Sequence, residues 1–213
     1  LVSLLDLRNF VLAVDPKGGD ETLGSTGYPR IPVWPPARKY YDRMSEGKPV
    51  KFLVGPKVHK RIDLPRLKAV QQAALRGVFD DGGWTVAIDE FQILSDRRMM
   101  NLGVDVETLL ISARHKKVSV VTLFQAPRNV PRAAADQSSH LFLGLTLDTD
   151  VVNRLAEITG REKAEIRGAI TGLGTVDFSW LVVPRNPRRP IVVTVPYPVG
   201  TRPKERVTSQ RAS

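Results

Sequence analysis

The amino-acid sequence predicts an α/β fold with a mainly parallel sheet covered by helices on both faces. Three observations predict it. Short continuous apolar runs, the pattern of strands buried on both sides, alternate along the chain with segments of helical spacing. The runs end in Asp, Pro, Gly or Gln, as strands meeting turns do. Apolar residues at 42% and charged residues at 25% of 213 are ordinary globular values, and the length is enough to bury a core.

Phe10–Val14 reads as the first buried strand, stopped by Asp15-Pro16-Lys17-Gly18-Gly19. Residues 18–49, rich in Gly, Pro and Tyr around Trp34-Pro35-Pro36, read as a long connection with one short strand near Ile31–Trp34. Lys51–Val54 is a further short strand. Ile62–Phe79 carries Leu64, Leu67, Val70, Ala74, Leu75 and Val78 at helical spacing, and Asp80-Asp81-Gly82-Gly83 ends it. Trp84–Ile88 is the second buried strand, running into Asp89-Glu90. Val104–Lys116 reads as a helix whose basic last turn, Arg114-His115-Lys116-Lys117, suits its negative end. Val118–Phe124 is a third strand, ending at Gln125-Ala126-Pro127. His140–Leu147 is a fourth, Asp150–Ile158 and Glu162–Ala169 are short helices, and Val176–Val183 is a fifth strand. Ile191–Val195, flanked by prolines, suits an edge strand. Thr201–Ser213 is polar, basic and aperiodic, and reads as a disordered tail. Leu1–Leu5 reads as the end of an apolar helix face without an initiator Met, so the chain is expected to be a fragment of a longer protein.

Composition narrows the function. No apolar run reaches the ~18 residues of a membrane span, and no leader pattern precedes a cleavage site. Zero cysteines exclude disulfide and thiolate chemistry, and three scattered His residues argue against a histidine metal centre. The expectation is a soluble, intracellular, cytoplasmic protein. Net charge is +10, and it is concentrated. Residues 28–61 hold nine Lys/Arg against Asp42 and Glu46, net +7; residues 185–213 hold seven against Glu205, net +6; the rest sums to −3. A near-neutral body with two basic stretches points to a polyanionic partner.

Chemistry concentrates where strands end. In parallel sheets ligands bind at the carboxyl ends of the strands, and three strands here end at Asp15, at Asp89-Glu90 and at Gln125. A strand delivering two adjacent carboxylates suits triphosphate hydrolysis. The first can hold Mg²⁺ through water, and the second can orient or deprotonate the attacking water. A neutral amide such as Gln125 can hydrogen-bond a γ-phosphate oxygen or that water without repelling either.

The ordered set Val14-Asp15-Pro16-Lys17-Gly18-Gly19, Val86-Ala87-Ile88-Asp89-Glu90-Phe91 and Ser112-Ala113-Arg114 with Val118–Phe124-Gln125-Ala126-Pro127 resembles the FtsK/HerA group of P-loop DNA-pumping ATPases. Downstream, Asp148-Thr149-Asp150, Leu155–Gly160 and Gly172-Leu173-Gly174 resemble that group's closing segment. The resemblance covers roughly residues 10–183. It implies a RecA-like P-loop NTPase fold over residues 1–200, with a basic insertion at about 20–61 and a tail at 201–213. It implies ATP and Mg²⁺ as nucleotide and metal, with Asp89 as the Walker B aspartate, Glu90 as the catalytic glutamate and Gln125 as the γ-phosphate sensor. Asp15 and Lys17, a carboxylate and an ammonium near the same crevice, are expected to bind the nucleotide or its Mg²⁺ along with Asp89. Such proteins work as rings, usually hexamers, in which an arginine reaches the neighbour's nucleotide; Arg114 and Arg154 are both candidates. Pore-facing loops of a duplex DNA pump contact phosphates without reading bases, and Lys39, Arg43, Lys48 and Lys51 in the first basic stretch are the candidates for that contact. The aromatics among them, Trp34, Tyr40 and Tyr41, suit anchoring the segment to the domain better than stacking on bases.

One part of the pattern is missing. No Gly-x-x-x-x-Gly-Lys-[Ser/Thr] occurs in the 213 residues, and Gly47-Lys48 runs into Pro49. Without that loop there is no amide nest for the phosphates. The resemblance places the loop just before residue 1, with a strand of its own inside the sheet. The expected function is an ATP-driven double-stranded DNA translocase, packaging or segregation motor subunit. The alternative is a non-hydrolysing nucleic-acid-binding or scaffold subunit with a degenerate P-loop fold.

Overall fold

In the computed structural model, the apolar runs fold as strands and Phe10–Val14 becomes β1, with Val11 to Val14 buried on both sides. The structure describes residues 8–19, 21–24, 26–58, 60, 63–124, 131–146, 148–173, 180–184 and 186–194, which form two compact units, 1–137 and 138–213. Leu1–Leu7, Gln125 and the tail 201–213 lie outside the described residues.

In the first unit, β1 is followed by a short α1 (Glu21–Gly24), β2 (Arg30–Ile31), α2 (Arg38–Ser45), β3 (Val50–Val54) and α3 (Leu64–Asp81). Then come β4 (Thr85–Ile88), α4 (Phe91–Ser95), α5 (Gly103–Ser112), β5 (Ser119–Thr122) and α6 (Arg132–Gln137). The five strands are all parallel, in the order β2-β3-β1-β4-β5. Alternation divides their side chains between two faces. Leu12, Val14, Phe52, Val54, Val86 and Ile88 join Leu67, Leu75 and Val78 of α3 and Val106 and Leu109 of α5 in the main core. Val11, Ala13, Leu53 and Ala87 turn to the other face, against Leu23 of α1 and Tyr28. Each large apolar side chain fully buried there contributes about 1.5–3 kcal/mol of transfer free energy.

Aromatics weld the basic segment to this core. The Trp84 ring lies 6.0 Å from Phe10, 6.1 Å from Trp34 and 6.2 Å from Phe52, and Tyr40 meets Phe52 edge-on at 4.8 Å. Trp34 reaches α3 because position 77 is Gly; a Cβ there would lie 2.3 Å from Trp34 Nε1. At the other end of the sheet, β5 is an edge strand among the described residues, and its four side chains are half-exposed.

The second unit contains β6 (His140–Leu143), α7 (Thr149–Thr159), α8 (Lys163–Leu173), β7 (Trp180–Pro184) and β8 (Val192–Thr194). Its three strands pair antiparallel in the order β6-β7-β8. Val151, Leu155, Ile166 and Ile170 from the helices pack on Leu181 and Val183. The α7 helix is bounded as its sequence dictates. The Asp148 carboxylate caps it by accepting from Asp150 N at 2.8 Å, and Gly160, at φ +64°, ends it.

Several boundaries differ from the sequence expectation. The helix read to Lys116 ends at Ser112, so Arg114 to Lys117 lie in turns. The strand read from Val176 is described from Trp180, because Gly174–Ser179 lie outside the described residues. Helices α2, α4 and α6 occupy stretches where the pattern predicts no element.

Candidate active site

Strand register builds this site. Val14 pairs with Val54 and Ile88, Val54 with Ile31, and Ile88 with Thr122, so the last residues of all five strands stand in one row. Asp15 and Asp89 therefore emerge side by side at the carboxyl edge, where α/β sheets bind ligands. Their backbones are joined, since Asp89 N donates to Val14 O at 3.2 Å.

Asp15 is buried and its carboxylate is engaged on both oxygens. Oδ1 accepts from the backbone N–H groups of Lys17 (3.0 Å) and Gly18 (2.9 Å), and Oδ2 lies 3.4 Å from Arg30 Nη2. This Asx-type turn needs Gly at 18, where φ is +71° and a Cβ would meet Val58 Cγ2 at 2.4 Å. From α3, the fully buried Gln71 donates through Nε2 to Asp15 O at 2.7 Å. The same Arg30 donates to Gly55 O at 3.4 Å. Gln71 and Arg30 thus clamp the ends of β1 and β3 together.

That turn aims Lys17. Its Nζ lies 2.6 Å from Glu90 Oε2, with the Lys17 side chain 53% exposed and that of Glu90 only 10%. Glu90 occupies the left-handed region (φ 45°, ψ 59°), a conformation costing a non-glycine residue about 1–2 kcal/mol. The surroundings enforce it. Phe91 N donates to Leu123 O at 3.1 Å, Leu123 N donates to Ile88 O at 3.0 Å, and the buried Phe91 ring packs 5.1 Å from Phe124. Strain maintained this way is characteristic of functional sites. Asp89 beside it is half-buried and faces the same edge of the sheet.

Asp15, Lys17, Asp89 and Glu90, singled out in the sequence, are thus brought together. Gln125, expected at the tip of the neighbouring strand, lies outside the described residues. Arg114 is exposed and sits at the opposite edge: Val118 N donates to Ala113 O, and Ser119 at the start of β5 pairs with Thr85 at the start of β4. The length of a strand, about 10–13 Å, separates that edge from Glu90. Arg154 belongs to the second unit and pairs with Glu157 at 2.7 Å. The four cations proposed for nucleic acid are spread over α2, the connection after it (Lys48) and the start of β3. Lys39 lies over the Tyr40 ring (5.1 Å) and Lys51 over Tyr28 (5.6 Å). Arg43 donates to Pro49 O at 3.3 Å, and Lys48 pairs with Glu46 at 2.6 Å.

Gln71 and Arg30 were not singled out in the sequence. A signal for Gln71 existed: it is a polar residue within the apolar stripe Leu67, Ala74, Leu75, Val78 of a helix. Arg30 carried none, because it reads as one more cation of a basic stretch.

No protein-family model matches the sequence, and no curated protein sequence matches it. Solved structures share its fold. The genome packaging NTPase B204 from Sulfolobus turreted icosahedral virus 2 in complex with AMPPCP superposes with a TM-score of 0.56 at 14% identity, over 92% of this chain and 87% of that one. Its complex with AMP gives 0.53 at 13% identity over 93% and 88%, and its complex with ATP-gammaS gives 0.52 at 12% over 92% and 86%. The chain therefore has the α/β fold of these packaging NTPases, built on a mainly parallel sheet flanked by helices.

Proposed function

We propose that this chain is the catalytic part of an ATP-driven duplex DNA translocase of the FtsK/HerA type, acting in genome packaging or segregation. The observation that carries the reading is the buried Glu90 carboxylate, held in a left-handed conformation beside Asp89 at the carboxyl edge of the sheet. Glu90 orients and deprotonates the attacking water. Lys17 fixes the direction of that carboxylate, and Asp15 fixes Lys17 through the turn it caps. Gln125 senses the γ-phosphate.

The donor set fits Mg²⁺, which takes oxygen ligands, keeps most of its water and binds through one or two carboxylates plus substrate phosphates. Asp89 is the residue that would hold it. Among the described residues no three His, Cys, Asp or Glu side chains form an all-protein metal cage. When bound, Mg²⁺ supplies charge stabilisation at the transferring phosphoryl group. The 213 residues hold no Gly-x-x-x-x-Gly-Lys-[Ser/Thr] loop to grip the phosphates.

Arg114, a strand length from its own Glu90, or Arg154 serves a neighbouring subunit in a ring, and the resemblance to the FtsK/HerA group supports a hexamer. Lys39, Arg43, Lys48 and Lys51 contact DNA phosphates. Exchanging their local partners costs little, since an exposed pair such as Lys48–Glu46 is worth about 0–1 kcal/mol. Among the described residues no helix is long and apolar enough to cross a membrane.

The test is DNA-stimulated ATP hydrolysis by the full-length protein and by Glu90→Gln. The variant should lose at least about 100-fold in kcat, and full activity in it removes Glu90 from this role. The missing loop motif favours a second reading, a nucleic-acid-binding scaffold subunit, for which wild-type protein binds duplex DNA and hydrolyses nothing.

A further inference from the structure

Arg161 is a buried cation that the chemistry above does not use. It sits in the three-residue link between α7 and α8, directly after Gly160, with its side chain 2% exposed. Nη1 donates to Glu165 Oε1 at 2.5 Å, and Nη2 donates to the backbone carbonyls of Asn186 (3.3 Å) and Arg189. Burying a guanidinium costs several kcal/mol unless its hydrogen bonds are well placed, so these contacts resist movement of the segment they hold. That segment is the turn between β7 and β8.

The turn is braced from within as well. Asn186 Oδ1 accepts from Arg188 N at 3.0 Å, and Asn186 O accepts from Arg189 N at 3.0 Å. Its sequence, Pro184-Arg185-Asn186-Pro187-Arg188-Arg189-Pro190, holds three prolines, three arginines and no acid. Arg188 and Arg189 are exposed and form no ion pair with any described residue. Solubility alone does not require a surface arginine pair to be held by a buried third arginine. Capture of phosphate benefits from it, because a turn ordered before binding loses little conformational entropy on binding. Guanidinium forks also match phosphate oxygens in bidentate geometry.

We propose that the β7–β8 turn is a contact for the phosphate backbone of duplex DNA, with Arg188 and Arg189 as the contacting side chains and Arg161 as the residue that positions the turn. This rests on the reading of the chain as a DNA translocase and adds a contact to Lys39, Arg43, Lys48 and Lys51.

The test measures duplex DNA affinity of the full-length protein against salt concentration, for wild type, Arg188→Gln/Arg189→Gln and Arg161→Lys. The double variant changes only exposed side chains. It should bind about tenfold more weakly near 0.1 M salt, with the slope of log K against log[salt] shallower by about 2. Arg161→Lys keeps the charge but loses the fork. Measured well below its melting temperature, it should also show a shallower slope, which reduced stability alone does not produce. Wild-type affinity and slope in the double variant overturn the proposal, while continued DNA-stimulated hydrolysis leaves the translocase reading standing. A wild-type slope in Arg161→Lys overturns the positioning role of Arg161. Wild-type protein that binds no duplex overturns both the contact and the translocase reading.

Discussion

The Lys17 ammonium lies 2.6 Å from the Glu90 carboxylate, joining the turn after β1 to the residue two places beyond β4. Its partners are unequally wet, Lys17 half in solvent and Glu90 nearly enclosed. Solvent on the lysine side keeps the pair weak, at about 0.5–1 kcal/mol. A double-mutant cycle of Lys17→Met, Glu90→Gln and the two combined, read by denaturant titration, should return a coupling of that size. Strict additivity of the two substitutions would show that the pair does not form in solution.

Backbone strain at Glu90 can be separated from its charge. Glu90→Gly and Glu90→Ala both delete the ion pair, so the difference between them isolates the left-handed conformation at φ 45°. The glycine variant should be the more stable by about 1 kcal/mol, reversing the usual order for ordered backbone. Thermal unfolding of the pair decides it, and a more stable alanine variant would mean that residue 90 is not left-handed.

Gly18 and Gly27 share nearly the same φ, +71° and +72°, but differ in surroundings. Nothing lies within 4 Å of a Cβ at Gly27, whereas one at Gly18 runs into Val58. Gly27→Ala should therefore cost about 1 kcal/mol. Gly18→Ala should cost about 2–3 kcal/mol, with overpacking added to strain. Because Gly18 closes the turn that aims Lys17, its substitution should also slow hydrolysis, and Gly27→Ala should not. Equal unfolding midpoints for the two variants would contradict this packing.

The strands were legible because parallel strands buried on both faces leave continuous apolar runs, and Phe10–Val14 matches β1 residue for residue. Asp15, Asp89 and Glu90 were legible for the same reason, since each follows a run that has to end at a sheet edge. The helix at Arg38–Ser45 was not. It buries no residue completely, and its contribution to the core is one edge of Tyr40 and Met44 within a strongly basic octet. Arg161 was equally hidden, because arginine is buried only where specific carbonyls receive it, and those belong to residues 25 and 28 positions away. The antiparallel pairing of β6, β7 and β8 is a tertiary choice that their apolar composition does not encode.

Asp81 gives the fold a pH signature. Burial pushes its carboxyl above the ordinary range, and the neighbouring Asp80 charge pushes it the same way. A group that holds its proton more tightly when folded opposes folding once it is ionised. The penalty is present at neutral pH and fades as pH falls through the folded-state value toward the unfolded value of about 3.9. Its place at the carbonyl end of α3 adds a repulsion of about 0.3–1 kcal/mol. Asp81→Asn should thus stabilise the protein at pH 7 by an amount that shrinks near pH 4. A gain of the same size at both pH values would exclude the titration of Asp81 as its source.

The common row formed by Ile31, Val54, Val14, Ile88 and Thr122 makes the spacing of the acidic groups a property of the hydrophobic interior. Sliding β4 by one residue would advance its tip by about 3.3 Å and exchange its two faces. Ala87 would then replace Val86 and Ile88 against Phe52 and Trp84, leaving voids that the core does not tolerate. Apolar side chains of the core therefore meter the distance between Asp15 and Asp89. Truncating Phe52 or Trp84 would detune the chemistry without altering a single charge.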